Sequence, residues 1–256
     1  MDLGLKDKVA MVSGGSRGIG RAICGALAEE GCKLAISARG EERLSEAVRE
    51  LEAYGVKALG VRADMAAEGG PERFFEGTLR AFGTADILVN NVGGSRPGGL
   101  EETSDEDWRA AFSLNLFHAV TLSRLAVPEM KRKRWGRILN VASIYGREWG
   151  GYMTYNASKA ALISFTKALA RELAPFNVLV NSIAPGSILF PGGSWERRMN
   201  AAPDRLAGFI HSELPSGRFG RPEEVAALAA FMVSERASLL TGACVNVDGG
   251  QGRSNI

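Results

Sequence analysis

Residues 11–23 read MVSGGSRGIGRAI, an apolar strand that runs into a cluster of glycines and out into a helical stretch. Gly14, Gly18 and Gly20 stand at G-x-x-x-G-x-G spacing. A residue without a Cβ permits a tight turn and lets backbone N–H groups close on an anion at a helix N-terminus. Taken alone, the pattern is open to two readings, an ordinary strand-to-helix turn or a pyrophosphate cradle, and the rest of the chain has to decide.

Outward from that turn, short apolar runs alternate with longer segments of helical period, the pattern of a parallel sheet covered by helices on both faces. Strands are predicted at residues 8–13, 33–38, 56–64, 86–91, 137–143, 178–184 and 244–248, and helices near 18–30, 41–54, 71–82, 105–132, 154–174 and 222–233. Pro71 and Pro222 fall where helices begin, a position that tolerates the missing N–H. The expected fold is α/β, a doubly wound, Rossmann-type sheet of seven parallel strands, with residues 1–256 as one domain because no linker or internal repeat divides them. One stretch breaks the rhythm. Residues 187–215, SILFPGGSWERRMNAAPDRLAGFIHSELP, are too long for a plain connection and are expected to form a lid over a substrate, with Gly192 and Gly193 as hinge.

Bulk properties narrow the function classes. The chain has 256 residues, 45% of them hydrophobic and 23% charged, with a formal charge of +2. That charge is too small to imply a nucleic-acid partner. The basic run KRKRWGR, residues 131–137, sits at a helix C-terminus, where cations suit the helix dipole and solvent. No window approaches 18 uninterrupted apolar residues, so no membrane contact is expected. Cys24, Cys32 and Cys244 are odd in number and lack metal-ligand spacing, and His118 and His211 are the only histidines. A reducing cytoplasm and no metal are the expectations.

In a doubly wound sheet, ligands bind beyond the carboxyl ends of the strands. There this chain places Arg39, Asp64 and the run NNVGG, residues 90–94. Asp64 is expected to accept from an adenine amino group, with Asn90, Asn91 and Gly93 closing the cradle. At the second strand an acid would hold a ribose 2′-hydroxyl, whereas a 2′-phosphate needs cations. Ala38 takes the acid's place, Arg39 follows, and Arg17 lies within the glycine turn. Two guanidiniums and no acid favour NADPH over NAD, the alternative being that Arg39 caps its own helix or faces solvent.

Tyr155 and Lys159 lie four apart and share a helix face. A phenol titrates near 10, and a neighbouring ammonium is expected to lower it toward useful acid–base chemistry. Tyr152 has Asn156 at that offset and Tyr145 has Trp149, so Tyr155 is the expected acid. Ser143 ends a strand and is placed to orient a carbonyl oxygen. Asn115, in a helix interior, either holds a proton-relay water or is a satisfied packing amide.

The glycine pattern, NNVG, Ser143, YNASK at 155–159 and NSIAPGS at 181–187 together resemble the short-chain dehydrogenase/reductase family, in order and across nearly the whole chain. The resemblance implies an Asn-Ser-Tyr-Lys tetrad at Asn115, Ser143, Tyr155 and Lys159. It also implies cofactor contacts from Ser13, Ser16, Ile19, Met65, Val92, Pro185, Gly186 and Ile188, besides Tyr155 and Lys159 on the nicotinamide ribose. The resemblance of the terminal TGACVNVDGG, residues 241–250, to the family's last strand implies packing in a homotetramer, the alternative being a dimer. Ser13 stands for the family's usual threonine and Val92 for its alanine. Leu189 occupies the expected place of a threonine that binds the nicotinamide amide. Direct hydride transfer between NADP(H) and a ketone, 3-oxoacyl group, sugar or polyol is the implied reaction. A second class, an NADPH-binding sensor without turnover, stays open. Tyr145, Tyr152, Phe190 and Trp195 are the candidate substrate contacts, the aromatic lid residues being equally readable as core. Arg197, Arg198, Arg205 and His211 offer charge for a carboxylate or phosphate. Resemblance to 3-oxoacyl carrier-protein reductases implies basic docking positions flanking the site; Arg134 matches one and Phe176 departs from the other.

Overall fold

Val, Ile, Leu and Ala dominate the strands because each strand is buried on both faces, and alternate side chains enter opposite layers. The structure, a computed structural model, describes residues 1–255, with the side chains of 203–205 left aside. In chain order the elements are β1 (Val9–Ser13), α1 (Gly18–Glu29), β2 (Lys33–Ala38), α2 (Glu41–Glu52), β3 (Ala58–Arg62), α3 (Gly70–Phe82), β4 (Ile87–Asn90) and α4 (Asp105–Phe112). There follow α5 (His118–Lys133), β5 (Gly136–Val141), α6 (Met153–Leu173), β6 (Val178–Pro185), α7 (Ser194–Ala201), α8 (Pro203–Glu213), α9 (Pro222–Met232) and β7 (Cys244–Val247).

The sheet is parallel in the order β3-β2-β1-β4-β5-β6-β7. Val12, Ile36, Val89 and Leu139 face α1, α2 and α9, whereas their neighbours Met11, Ala35, Leu88 and Ile138 face α3, α5 and α6. Each large aliphatic side chain buried there contributes about 1.5–3 kcal/mol. The chain reverses its direction of winding between β1 and β4, which opens a crevice at their carboxyl ends.

Two findings go beyond the predicted elements. The run expected as one helix over 105–132 contains a π-helical turn at Ser113–Phe117, between α4 and α5. Residues 105–133 are long and apolar enough to cross a membrane by length and composition. Their apolar side, with Leu122, Ala126 and Met130, is instead packed in the core. The 187–215 stretch is ordered into α7 and α8, which enclose a small core of Leu206, Leu214 and Phe219.

Candidate active site

The glycine turn takes the shape that its composition requires. Gly14 and Gly18 have φ of 70° and 54°, the left-handed region that side chains disfavour. A Cβ on Gly20 would lie 2.3 Å from the Gly14 carbonyl oxygen. Ser13 and Asn91 tie the turn to β4. The Ser13 hydroxyl accepts from the N–H groups of Asn91 at 3.0 Å and Val92 at 3.3 Å. The Asn91 amide donates to the carbonyls of Ser13 and Gly14 at 3.0 and 3.2 Å. A hydroxyl is all these bonds need, so serine serves where threonine was expected. Val92 sits against Gly14, and a Cβ on Gly14 would approach its side chain to 3.0 Å.

Around this turn the structure gathers most of the sequence-expected cradle. Ser16 is buried in the turn, Gly93 follows β4, and Ala38 ends β2 with Arg39 exposed beyond it. Asp64 accepts the Ala66 N–H at 3.0 Å. Pro185 closes β6, and Gly186 donates to the Val247 carbonyl at 3.0 Å. Ile19, half-buried, and Ile188 pack on the core beside β1, and Met65 is buried in the core on the α3 side.

Ser143, two residues past β5, is buried. Its hydroxyl accepts the Tyr145 N–H at 3.2 Å and is hydrogen-bonded to the Tyr155 hydroxyl. Tyr155 lies in the first turn of α6 and Lys159 one turn later, fully within the interior. The Lys159 ammonium donates to the Val141 carbonyl at 2.7 Å and lies 5.8 Å from the Tyr155 ring centre. A Cβ on Gly93 would come within 3.0 Å of Lys159 Nζ and 2.9 Å of Asn115 Oδ1, so the glycine is what lets these groups reach the strand end.

Asn115 occupies the π-helical turn, a distortion common at functional sites. Its amide clasps Gly94, accepting the N–H at 3.0 Å and donating to the carbonyl at 3.0 Å, and donates also to Ala111 at 2.9 Å. The side chain therefore clamps the main chain of Gly94 to the π-helical turn.

The electrostatics differ from the expectation that lysine depresses the phenol. Burial pushes the Tyr155 hydroxyl up, with the Ser143 hydrogen bond pulling it back. Burial also pushes Lys159 down, to about 7. Desolvation disfavours both charged forms, so the chain alone holds a protonated phenol beside an amine poised to lose or gain a proton near neutrality.

The four substrate candidates separate. Tyr145 lies beside Tyr155, and its own phenol is pushed up by burial, then by Glu213 and Glu148, against the opposing pull of Arg198 and Arg253. Tyr152 is half-buried immediately before α6. Phe190 instead lies over the glycine turn, with ring atoms 2.6–2.8 Å from where a Gly18 Cβ would be. Trp195 belongs to the lid's core, its ring centre 4.5 Å from Phe209 and 5.2 Å from Phe219. Leu189 packs against that same core. Phe190 thus packs on the main core and the glycine turn, and Trp195 on the lid's own core.

Charged candidates are also redistributed. Arg197 donates to the Gly192 carbonyl at 2.7 Å, and Arg17 of the glycine turn donates to the same oxygen at 3.1 Å. Arg43 of α2, which the sequence reading missed, joins them. Its place in an ordinary amphipathic helix gave no signal. His211 is exposed, and the side chain of Arg205 lies outside the described ones. Arg134 and Phe176 immediately precede β5 and β6. They therefore stand at the sheet edge opposite Ser143 and Tyr155 of the same chain, not beside the site.

The family model described as Enoyl-(Acyl carrier protein) reductase matches residues 14–251. A 3-oxoacyl-[acyl-carrier-protein] reductase of Aquifex aeolicus is 39% identical over 98% of this chain and 99% of its own length. The counterpart in Staphylococcus aureus is 35% identical over 95% and 97%. Among solved structures, L-sorbose reductase from Gluconobacter frateurii complexed with NADPH and L-sorbose superposes with a TM-score of 0.94 at 38% identity, covering 99% of this chain and 100% of that one. YwfH, an NADPH-dependent reductase involved in bacilysin biosynthesis, superposes with a TM-score of 0.91 at 30% identity, covering 97% and 100%.

Proposed function

The chain belongs to the short-chain dehydrogenase/reductase family of oxidoreductases, and we propose that it is an NADPH-dependent reductase converting a small, polar ketone to a secondary alcohol, with Tyr155 as the acid. The observation that carries this reading is the Ser143–Tyr155 hydroxyl pair with Lys159 one helical turn away, at the carboxyl edge of the sheet beside the glycine turn.

The residues present fit the cofactor. The turn from Gly14 to Gly20 offers backbone N–H groups at the start of α1 for a pyrophosphate, in a cradle that a Cβ on Gly20 would obstruct. Asp64 suits the adenine, Arg17 and Arg39 a 2′-phosphate, and Lys159 with Tyr155 the nicotinamide ribose. Bound there, NADPH supplies the hydride that reaches the carbonyl carbon. Ser143 holds the carbonyl oxygen, and Tyr155 donates its hydroxyl proton to that oxygen as charge develops. Lys159, whose amine burial lowers to about 7, favours the tyrosinate left behind when protonated, passes its proton back to it and regains one from solvent. Asn115 fixes the Gly93–Gly94 main chain against which Lys159 rests.

The polar substrate is argued from the charges acting on Tyr145. Glu148, Glu213, Arg198 and Arg253 act on its phenol, with Glu213 paired to Arg253 and Glu148 accepting the Arg253 and Ser254 N–H groups, so a polar rim borders Tyr145 and suits a hydroxylated substrate. Placement of Arg134 and Phe176 at the far edge of the sheet removes one argument for a carrier-protein substrate. In the homotetramer that is part of this reading, the edge strand β7 and nearby Leu239, 97% exposed, are covered by a second copy. Residence in a reducing cytoplasm suits the free cysteines.

The test is NADPH oxidation followed by absorbance over ketoses, simple ketones and 3-oxoacyl thioesters. The highest kcat/KM is expected on a ketose or hydroxylated ketone. A clear preference for 3-oxoacyl thioesters would overturn the substrate class, and silence across the panel with confirmed NADPH binding would leave a sensor.

A further inference from the structure

Three elements distant in sequence send guanidinium groups to one point on the lid. Arg17 comes from the glycine turn, Arg43 from α2 and Arg197 from α7. Arg17 and Arg197 both donate to the single carbonyl oxygen of Gly192. A Cβ built on Gly192 would lie 3.8 Å from Arg17 Nη1 and 3.9 Å from Arg43 Nη1. Arg39 acts on the same cluster: the Arg17 guanidinium is pushed down by partial burial, then by Arg43, Arg197 and Arg39 in that order. The local carboxylate, Glu196, is engaged by the Gly192 N–H at 2.7 Å, and Arg21 is paired with Glu50 and Glu46.

One neutral carbonyl oxygen is a poor counterpart for converging cations, which repel one another at such range. A phosphomonoester, with nearly two negative charges and three acceptor oxygens, matches the set in charge and in the forked geometry of guanidinium donors. The position supplies the identity of that phosphate. It adjoins the end of β2 and the glycine turn, where the cofactor reading places the 2′-phosphate of NADPH. Gly192, with φ of 72°, adopts a conformation that glycine allows without strain, and Phe190, two residues earlier, is seated on Gly18. The start of the lid is thus attached to the cofactor turn, and its first helix carries one of the cations.

We propose that Arg197 and Arg43 complete the 2′-phosphate site, and that Arg197 makes the lid part of it, so that the 2′-phosphate itself draws α7 onto the bound cofactor. The inference rests on the NADPH reading and extends it: discrimination between NADPH and NADH becomes a property of the lid as well as of the second strand.

The test uses the full-length protein and its variants Arg197→Gln, Arg197→Lys and Arg43→Gln, with Kd measured for NADPH and NADH, and limited proteolysis within residues 187–215 in the presence of NADPH, NADH or adenosine 2′-monophosphate. Arg197→Gln is expected to weaken NADPH about tenfold, the loss of one charge-assisted contact, and NADH less than about twofold. Arg197→Lys is expected to fall between. In the wild type, NADPH and adenosine 2′-monophosphate slow cleavage and NADH does not; Arg197→Gln abolishes that protection, whereas Arg43→Gln weakens NADPH binding but retains protection at saturation. Equal losses for NADPH and NADH, or lid protection independent of the 2′-phosphate, would overturn the inference while leaving the NADPH reading intact. A wild type that binds NADH as tightly as NADPH would overturn both.

Discussion

The side chains at the carboxyl edge of the sheet are held by strand ends and by a 21-residue helix, whereas the segment over them folds round a core of its own and joins the main core through Ile188 and Phe190. Ser143, Lys159 and Asn115 are buried, and each has a fixed hydrogen-bond partner. On the lid, Arg197 and Arg198 are exposed and the aromatic rings face inward. The difference is one of support. Chemistry that needs fixed geometry sits on rigid elements, and recognition that needs motion sits on a separately stabilised pair of helices.

That contrast is broken most directly at the rigid side. Tyr155→Phe removes the proton donor and leaves the ring, its packing and the Lys159–Val141 bond in place. A loss in kcat of about 10³-fold is expected, within the range for removal of a general acid, with NADPH affinity changed less than about threefold. Stopped-flow single turnover, together with cofactor titration by fluorescence, separates the two quantities. A kcat near wild type would show that the proton comes from another group.

The next effect is a pH dependence of cofactor affinity. Lys159 is held down to about 7 by burial. Two neighbouring titratable groups are neutral across the relevant range: Tyr155 is pushed up, and His118 is pushed down to about 3 by burial and then by Lys159. An anionic dinucleotide favours the protonated amine and so raises its pKa on binding. Below pH 7 the amine already carries its proton and affinity is flat; above 7 a proton is taken up, and affinity falls by up to tenfold per pH unit until the raised pKa is passed. For folding the sign is opposite. Between about 7 and the ordinary lysine value of 10.5, the unfolded chain holds the extra proton, so the contribution of this group to stability rises with pH. Binding calorimetry at pH 8 in phosphate and in Tris, whose ionisation enthalpies differ, should give uptake approaching one proton; identical heats in the two buffers would exclude Lys159 as the titrating group.

The same contrast explains what the sequence disclosed. A glycine with positive φ, a serine at a strand end and a tyrosine four residues from a lysine are local requirements, and local requirements leave residue types at fixed spacing. Strand bounds were legible for the same reason: Lys33–Ala38 was found to the residue because its alternation and its flanking turns agree. The lid left no such trace. Trp195 and Phe209 read equally well as substrate contacts or as core, because the partner they pack on, Phe219, lies beyond the lid's own boundary in sequence. Arg43 was illegible because only the seating of residues 190–192 on the glycine turn brings Gly192 near both it and Arg17. The π-helical turn at Asn115 was hidden too, since one inserted residue hardly alters the helical period of a long apolar segment.

The smallest expected effect tests whether the lid's core is separate from the main one. Phe219 sits 8% exposed, with its ring centre 5.2 Å from that of Trp195 and 6.1 Å from that of Phe209. Truncating a buried aromatic residue costs about 3–5 kcal/mol. Were that cost charged to the whole molecule, Tm would fall by about 6–20 °C for a chain of this size. If the lid opens as an independent unit, the cost appears in local opening instead. Phe219→Ala is then expected to lower Tm by less than about 3 °C and leave kcat unchanged, while raising KM severalfold and accelerating proteolysis within residues 187–215. Differential scanning calorimetry and timed proteolysis of the same variant measure both. A drop in Tm of the larger size without a gain in lid cleavage would mean that α7, α8 and the sheet unfold together, and the division between a rigid site and a movable cover would have to be abandoned.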